Sequence, residues 1–129
     1  MRRLEHFAFN VADPVAVAAW YESVLGFKVM RRGPAPSHTT FLQDTETGVM
    51  LEFYGNPEGA IPDYASQHPL TLHIAFVTDD TAKEKATMLA GGGSLISEAM
   101  TPDGTELLMM RDPFGLCVQF CKRSPKFFG

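Results

Sequence analysis

Hydrophobic and polar residues alternate along residues 4–11, Leu-Glu-His-Phe-Ala-Phe-Asn-Val, which is the period-two signature of a β-strand. Asp13-Pro14 follows, a capping residue and then a ring whose fixed φ suits a first helical turn. A helix is predicted from there to about Leu25, with Ala18, Tyr21 and Leu25 on one face. Gly26 should close it in the left-handed conformation. Strands are predicted over 27–32, 39–43 and 49–54, separated by the Gly-Pro-Ala-Pro-Ser loop at 33–37 and a turn ending at Gly48. The pattern then starts again. A strand is expected over 70–77 and a helix over 81–90, capped by Asp79-Asp80 and stopped by Gly91-Gly92-Gly93. Further strands are expected over 95–98, 106–111 and 116–121. No element is predicted for the basic, aromatic tail at 122–129.

The second half repeats the first at a shift of 67 residues without a gap. The shift matches His6 with His73, Ala8 with Ala75, Phe9 with Phe76 and Asp13 with Asp80. It also matches Ala19 with Ala86, Gly26 with Gly93, Gly48 with Gly115 and Phe53 with Phe120. Shared local rules could explain the glycines and aspartates, but not HFAF facing HIAF in register. The expected architecture is α+β: one domain, 1–129, of two tandem βαβββ modules (about 1–55 and 70–122) joined by a connector at 56–69.

Alternation sorts the polar residues. Phe7, Phe9 and Val11 share one strand face, and His6, Ala8 and Asn10 the other. Likewise Leu72, Ile74 and Phe76 oppose His73 and Ala75. Leu51 and Phe53 oppose Met50, Glu52 and Tyr54, and Val118 and Phe120 oppose Cys117, Gln119 and Cys121. The bulky sets should pack on the helices. Each module then presents one histidine and one carboxylate or carboxamide on its other face, because Glu52 and Gln119 are repeat equivalents. A pseudo-twofold pairing would gather His6, Glu52, His73 and Gln119 around one divalent ion such as Zn, Ni, Fe, Co or Mn. A lone strand histidine is more often structural; two in register with two equivalent oxygen donors favour a metal.

Composition narrows the class. With 45% hydrophobic and 20% charged residues the chain is globular. A net charge of −4 and no basic stripe argue against nucleic acid, and no apolar run is long enough for a bilayer. The N-terminus lacks an apolar core of signal-peptide length, so a cytoplasmic protein is expected. Cys117 and Cys121 stand four apart in one predicted strand, about 13 Å between Cα atoms, too far to bridge. They read as reduced, apolar fillers, and Met50 and Met109 as further lining. His38 and His68 fall in loops.

The segments LEHFAFNVADP, WYESVLGF, MLEF, LHIAF and RDPFGLCVQF resemble the vicinal oxygen chelate superfamily of glyoxalases, bleomycin-resistance proteins and dioxygenases. The likeness is greatest to the bacterial glyoxalase I (lactoylglutathione lyase) type. The resemblance implies paired modules whose eight strands form a cupped sheet with the helices on its outer face, and a divalent-metal-dependent lyase or isomerase acting on a small substrate with vicinal oxygens through an enediolate. His6, Glu52 and His73 match its metal ligands. Gln119 stands where the family usually has Glu, which leaves Glu52 as the candidate catalytic base. Asn10 occupies a position that typically carries a glutathione-binding Arg, and Asn56 matches a glutathione-contacting Asn. Asn10, Asn56 and Arg111 are the candidate substrate-binding residues. The resemblance also extends to methylmalonyl-CoA epimerase, whose ligand set this one resembles with the halves exchanged. It extends as well to extradiol dioxygenases and to non-catalytic drug-binding proteins of the bleomycin-resistance type. Family members often pair, so a homodimer is expected.

Overall fold

The computed structural model describes residues 1–128. Its elements run β1 (His6–Asn10), α1 (Pro14–Leu25), β2 (Lys28–Arg32), β3 (Thr40–Gln43), β4 (Met50–Tyr54), a 3-10 turn (Tyr64–Ser66), β5 (Ile74–Val77), α2 (Thr81–Ala90), β6 (Ser94–Met100), β7 (Glu106–Arg111) and β8 (Cys117–Lys122). The chain forms two compact units, Met1–Pro62 and a second from Asp63 onward.

Each unit is a βαβββ module. The first has the strand order β1-β4-β3-β2 and the second the matching order β5-β8-β7-β6. In both, the first and last strands pair in parallel, and the other pairs are antiparallel. The repeat persists in single bonds and contacts. Val11 N donates to Tyr54 O at 2.8 Å, and its equivalent Thr78 N donates to Cys121 O at 3.0 Å. Ala8 faces Glu52 across β1–β4, and Ala75 faces Gln119 across β5–β8. Phe9 stacks on Phe53 at 5.5 Å, and Phe76 on Phe120 at 5.6 Å.

The helices form where their caps lie. The Asp13 carboxylate accepts from Ala16 N at 3.0 Å, with Pro14 in the first turn. The Asp80 carboxylate accepts from Lys83 N at 3.0 Å. Both satisfy amides that a helix start leaves unpaired. Gly26 ends α1 at φ 74, its N–H bonded to Tyr21 O. The equivalent bond runs from Gly93 N to Met88 O at 2.8 Å, although the positive φ there falls on Gly92. Tyr21 and Met88 are also repeat equivalents, and both are fully buried.

Tyr21 organises the first core. It meets Trp20 edge-on at 5.0 Å, Phe27 at 5.7 Å and Phe53 at 5.2 Å. Burial of each such ring contributes on the order of 1.5–3 kcal/mol. Met88, Leu108, Met110, Val118 and Phe120 form the second core.

Three features differ from the sequence reading. The strand expected over 70–77 begins only at Ile74, because residues 68–73 turn: Thr71 N bonds His68 O and Leu70 N bonds the His68 ring. Phe7, expected against a helix, is 54% exposed. It lies on the edge strand β1, whereas α1 packs chiefly on β3, β4 and β2. The tail is placed as well. Ser124 N and O both pair with the Thr105 hydroxyl, Lys126 reaches Asp79 at 3.6 Å, and Arg123 covers the Phe127 ring.

Gly48 and Gly115 close the two equivalent hairpins at φ 81 and 99. Gly115 has a second constraint. A Cβ there would stand 2.6 Å from Ala65 N, so the 3-10 turn passes directly over it.

Candidate functional site

The parallel pairing of β1 with β4 sets His6 beside Met50 and Ala8 beside Glu52. His6 Nε2 lies 3.4 Å from Glu52 Oε1, and His6 Nδ1 lies 2.8 Å from Glu5 Oε1. A carboxylate can only accept, so in the neutral ring Nδ1 carries the hydrogen and Nε2 presents a bare lone pair. That lone pair faces a carboxylate oxygen. Two acceptors so placed repel unless a cation or a proton joins them. Two donors each about 2.1 Å from one tetrahedral ion stand about 3.4 Å apart, so the pair fits a shared divalent metal. Phe41 supports the ring from β3, edge-on at 5.4 Å. Glu52 is largely sheltered and His6 is a third exposed.

In the second unit His73 lies one residue before β5. Its Nδ1 lies 2.7 Å from the Pro69 carbonyl, which again can only accept. His73 Nε2 is therefore the free position, as in His6. Fixing one ring nitrogen with an acceptor is how proteins orient a metal-binding histidine. Gln119 sits on β8 opposite Ala75, and its Oε1 accepts from Cys121 Sγ at 3.3 Å. Of the four expected donors, the structure brings His6 and Glu52 together. Among the described residues no three His, Cys, Asp or Glu side chains converge as a metal cluster.

The three residues expected to contact substrate are engaged with backbone. Asn10 Oδ1 accepts from Asn56 N at 2.8 Å, while its amide donates to the carbonyls of Asn56, Gly59 and Ala60. The Asn56 side chain accepts from Glu58 N. Asn10 thus pins residues 56–60 to the end of β1. Arg111 donates to the carbonyls of Tyr64, Gln67 and Gly115 and to Cys117 Sγ. It pins residues 64–67 in the same manner. The expected connector is therefore divided, one part held by each unit.

Cys117 and Cys121 are free and buried. Burial pushes both thiols above the usual cysteine range, with Arg111 partly opposing the rise at Cys117. Asp103 is held below the usual carboxylate range by the Thr101 hydroxyl and the Thr105 amide.

Two cavities flank the first unit's sheet. The larger, about 430 Å³, lies around the start of α1 and includes Pro14, Pro36, His38 and Asn56, but neither His6 nor Glu52. The smaller, about 320 Å³, is lined by Glu5, Met30, Arg31, Phe41 and Met50. It too is lined by neither His6 nor Glu52, but Glu5 and Phe41 on its wall both contact the His6 ring. Glu5, Phe41 and Arg31 were not singled out by sequence. The only local signal was the Glu5-His6 dipeptide, and alternation would point those two side chains apart.

Residues 3–120 match the model of the glyoxalase/bleomycin resistance protein/dioxygenase superfamily. The chain belongs to that superfamily. An uncharacterized Bacillus subtilis protein, YwbC, is 29% identical over 133 residues, covering 95% of this chain and 98% of that one. A lactoylglutathione lyase from Agrobacterium tumefaciens has a similar fold, with TM-score 0.71 at 21% identity, covering 99% of this chain and 98% of that one. So does TnmS3, an antibiotic binding protein from Streptomyces sp. CB03234, with TM-score 0.73 at 18% identity over 96% and 98%. The superfamily fold thus accommodates both a lyase and a binding protein, and the donor chemistry has to decide between them. No helix of this superfamily member is long and apolar enough to cross a membrane, among the described residues.

Proposed function

We propose that the protein is a divalent-metal-dependent lyase or isomerase of the glyoxalase I kind, acting on a small substrate with vicinal oxygens through an enediolate. The facing of His6 Nε2 and Glu52 Oε1 at 3.4 Å, with Nδ1 committed to Glu5, carries this reading. His6, Glu52, His73 and the Gln119 amide oxygen would hold the metal, drawn from one chain or from two copies in a homodimer. A bound Zn, Ni, Fe, Co or Mn ion would supply Lewis-acid stabilisation of negative charge on the substrate oxygens.

The protein's own residues divide the remaining work. Glu5 and the Pro69 carbonyl fix the two imidazoles. Glu52 can accept and return a proton at the carbon beside the carbonyl; Gln119 cannot, since a carboxamide has no basic oxygen at neutral pH. A single base suits an isomerisation in which one group removes the proton and delivers it back.

Two measurements test the proposal. Metal analysis of protein purified without added metal should show about one ion per site in the wild type and clear loss in His73→Ala. Equal trace metal in both proteins would sink it. Deuterium uptake at the carbon beside the carbonyl of a 2-hydroxy carbonyl compound, followed by NMR in D2O, should be lost in Glu52→Gln. Oxygen uptake with catechols, only with Fe(II) present, would instead indicate a dioxygenase.

A second reading is non-catalytic binding of a small amphipathic molecule. The engagement of Gln119 Oε1 by Cys121 and the likeness to an antibiotic binding protein favour it. A ligand-induced rise in melting temperature that ignores chelator would support it over the enzyme.

A further inference from the structure

We infer that the substrate or ligand of this site is an amphipathic anion, and that Arg31 is the residue that selects its distal carboxylate or phosphate. The inference rests on the proposed role of the His6–Glu52 pair and adds the chemical class of what binds beside it.

One row of residues crosses the whole first sheet on one face. Ala8 on β1 faces Glu52 on β4, Glu52 faces Phe41 on β3, and Phe41 faces Arg31 on β2. The Phe41 ring occupies the middle. It meets the His6 ring edge-on at 5.4 Å on one side, and the Arg31 guanidinium stands 6.0 Å from its centroid on the other. Neighbouring strands are about 4.8 Å apart, so Glu52 and Arg31, two strands apart, are separated by about 10 Å. Beside the row lies the cavity of about 320 Å³, lined by Glu5, Met30, Arg31, Phe41 and Met50.

A β-bulge builds this wall. The β2–β3 register shifts between Val29 and Arg31, so Met30 is the extra residue. Regular alternation would put Met30 and Arg31 on opposite faces. The bulge re-aims the strand and lets both line one cavity.

The charges differ along β2. Arg32 lies 3.6 Å from Glu22, a surface ion pair. Arg31 is exposed, lies against the Phe41 ring, and its guanidinium retains donors for an incoming anion. Glu5, the acidic group on the cavity wall, is bound to His6 Nδ1. The row thus offers an oxygen-binding pair at one end, an aromatic middle and a planar cation at the other, with an apolar cavity beside it. A molecule that satisfies all three has vicinal oxygens, an apolar or aromatic body of several atoms, and a terminal anion. A three-carbon carbonyl compound could not span the row.

The test compares benzohydroxamic acid with its 4-carboxy derivative by calorimetry, on protein with added Zn and on protein with chelator. The hydroxamate supplies vicinal oxygens and the 4-carboxylate supplies the distal anion. Wild type should bind the carboxylated probe at least about fivefold tighter. Arg31→Gln should bring binding of the carboxylated probe down to that of benzohydroxamate, while Arg31→Lys should retain part of the preference. A preference that survives Arg31→Gln overturns the inference, as does equal or absent binding of the two probes to wild type. Failure of the metal reading shows separately, as binding that chelator does not alter. The carboxylate preference and its dependence on Arg31 are still read in that case.

Discussion

His6 and Glu52 face each other across β1 and β4 with Nε2 and Oε1 3.4 Å apart, two acceptors that need a cation or a proton between them. Replacing Glu52 with Gln keeps the shape and removes both the proposed anionic ligand and the proposed base. Turnover of a 2-hydroxy carbonyl substrate should fall by about 10²–10⁴-fold with circular dichroism unchanged. Retention of more than a tenth of the activity would exclude Glu52 as the base.

Glu5 holds the Nδ1 side of the His6 ring. Glu5→Ala should weaken metal affinity by about 10–100-fold, read by competition with a chromophoric chelator. The Glu5→Gln variant, whose amide oxygen can still accept, should recover part of the loss. Equal loss in both variants would point to charge rather than orientation.

Asn10 holds residues 56–60 through four hydrogen bonds to backbone. Asn10→Ala should cost about 1–2 kcal/mol of stability and expose that segment to limited proteolysis. An unchanged cleavage pattern would show that the segment is held by other contacts.

Cys117 and Cys121 are buried, and burial raises both thiol pKa values. At pH 8 the folded protein should react with iodoacetamide far more slowly than a free thiol, with both sites labelling once denatured. The sign for stability follows. A thiol whose folded pKa is raised adds stability that is complete below its unfolded pKa of about 8.5 and declines as pH rises past it. Denaturant midpoints should therefore fall on going from pH 8 to pH 10, and fall less in Cys121→Ala.

The two hairpin glycines separate conformation from space. Gly48 and Gly115 both have positive φ, but an added Cβ meets only the Gln43 side chain at 3.8 Å at Gly48, against Ala65 backbone at 2.6 Å at Gly115. Gly48→Ala should cost about 1–2 kcal/mol for the backbone alone. Gly115→Ala should cost more, and thermal melting should rank them in that order.

Much of the fold was legible in the chain because its signals are local. Asp13, Pro14, Gly26 and Asp80 act on helix ends within a few residues of themselves. The 67-residue shift carried through to paired hydrogen bonds and to stacked Phe9–Phe53 and Phe76–Phe120. Alternation was legible too, and it put His6 and Glu52 on one face. It misled at Phe7, where packing depends on which strand is an edge, and at residues 68–73, where ring and carbonyl bonds of His68 hold a turn.

By itself, the sequence determined the duplicated βαβββ module, its caps and turns, and the placing of His6 and Glu52 on one face of the first copy. These follow from periodicity and from residues acting on near neighbours. The tertiary structure alone decided that Glu5 fixes His6, that Asn10 and Arg111 bind backbone, and that the bulge at Met30 turns Arg31 into the cavity beside Phe41. Those depend on strand order and register, which bring together residues dozens of positions apart and which no local pattern encodes.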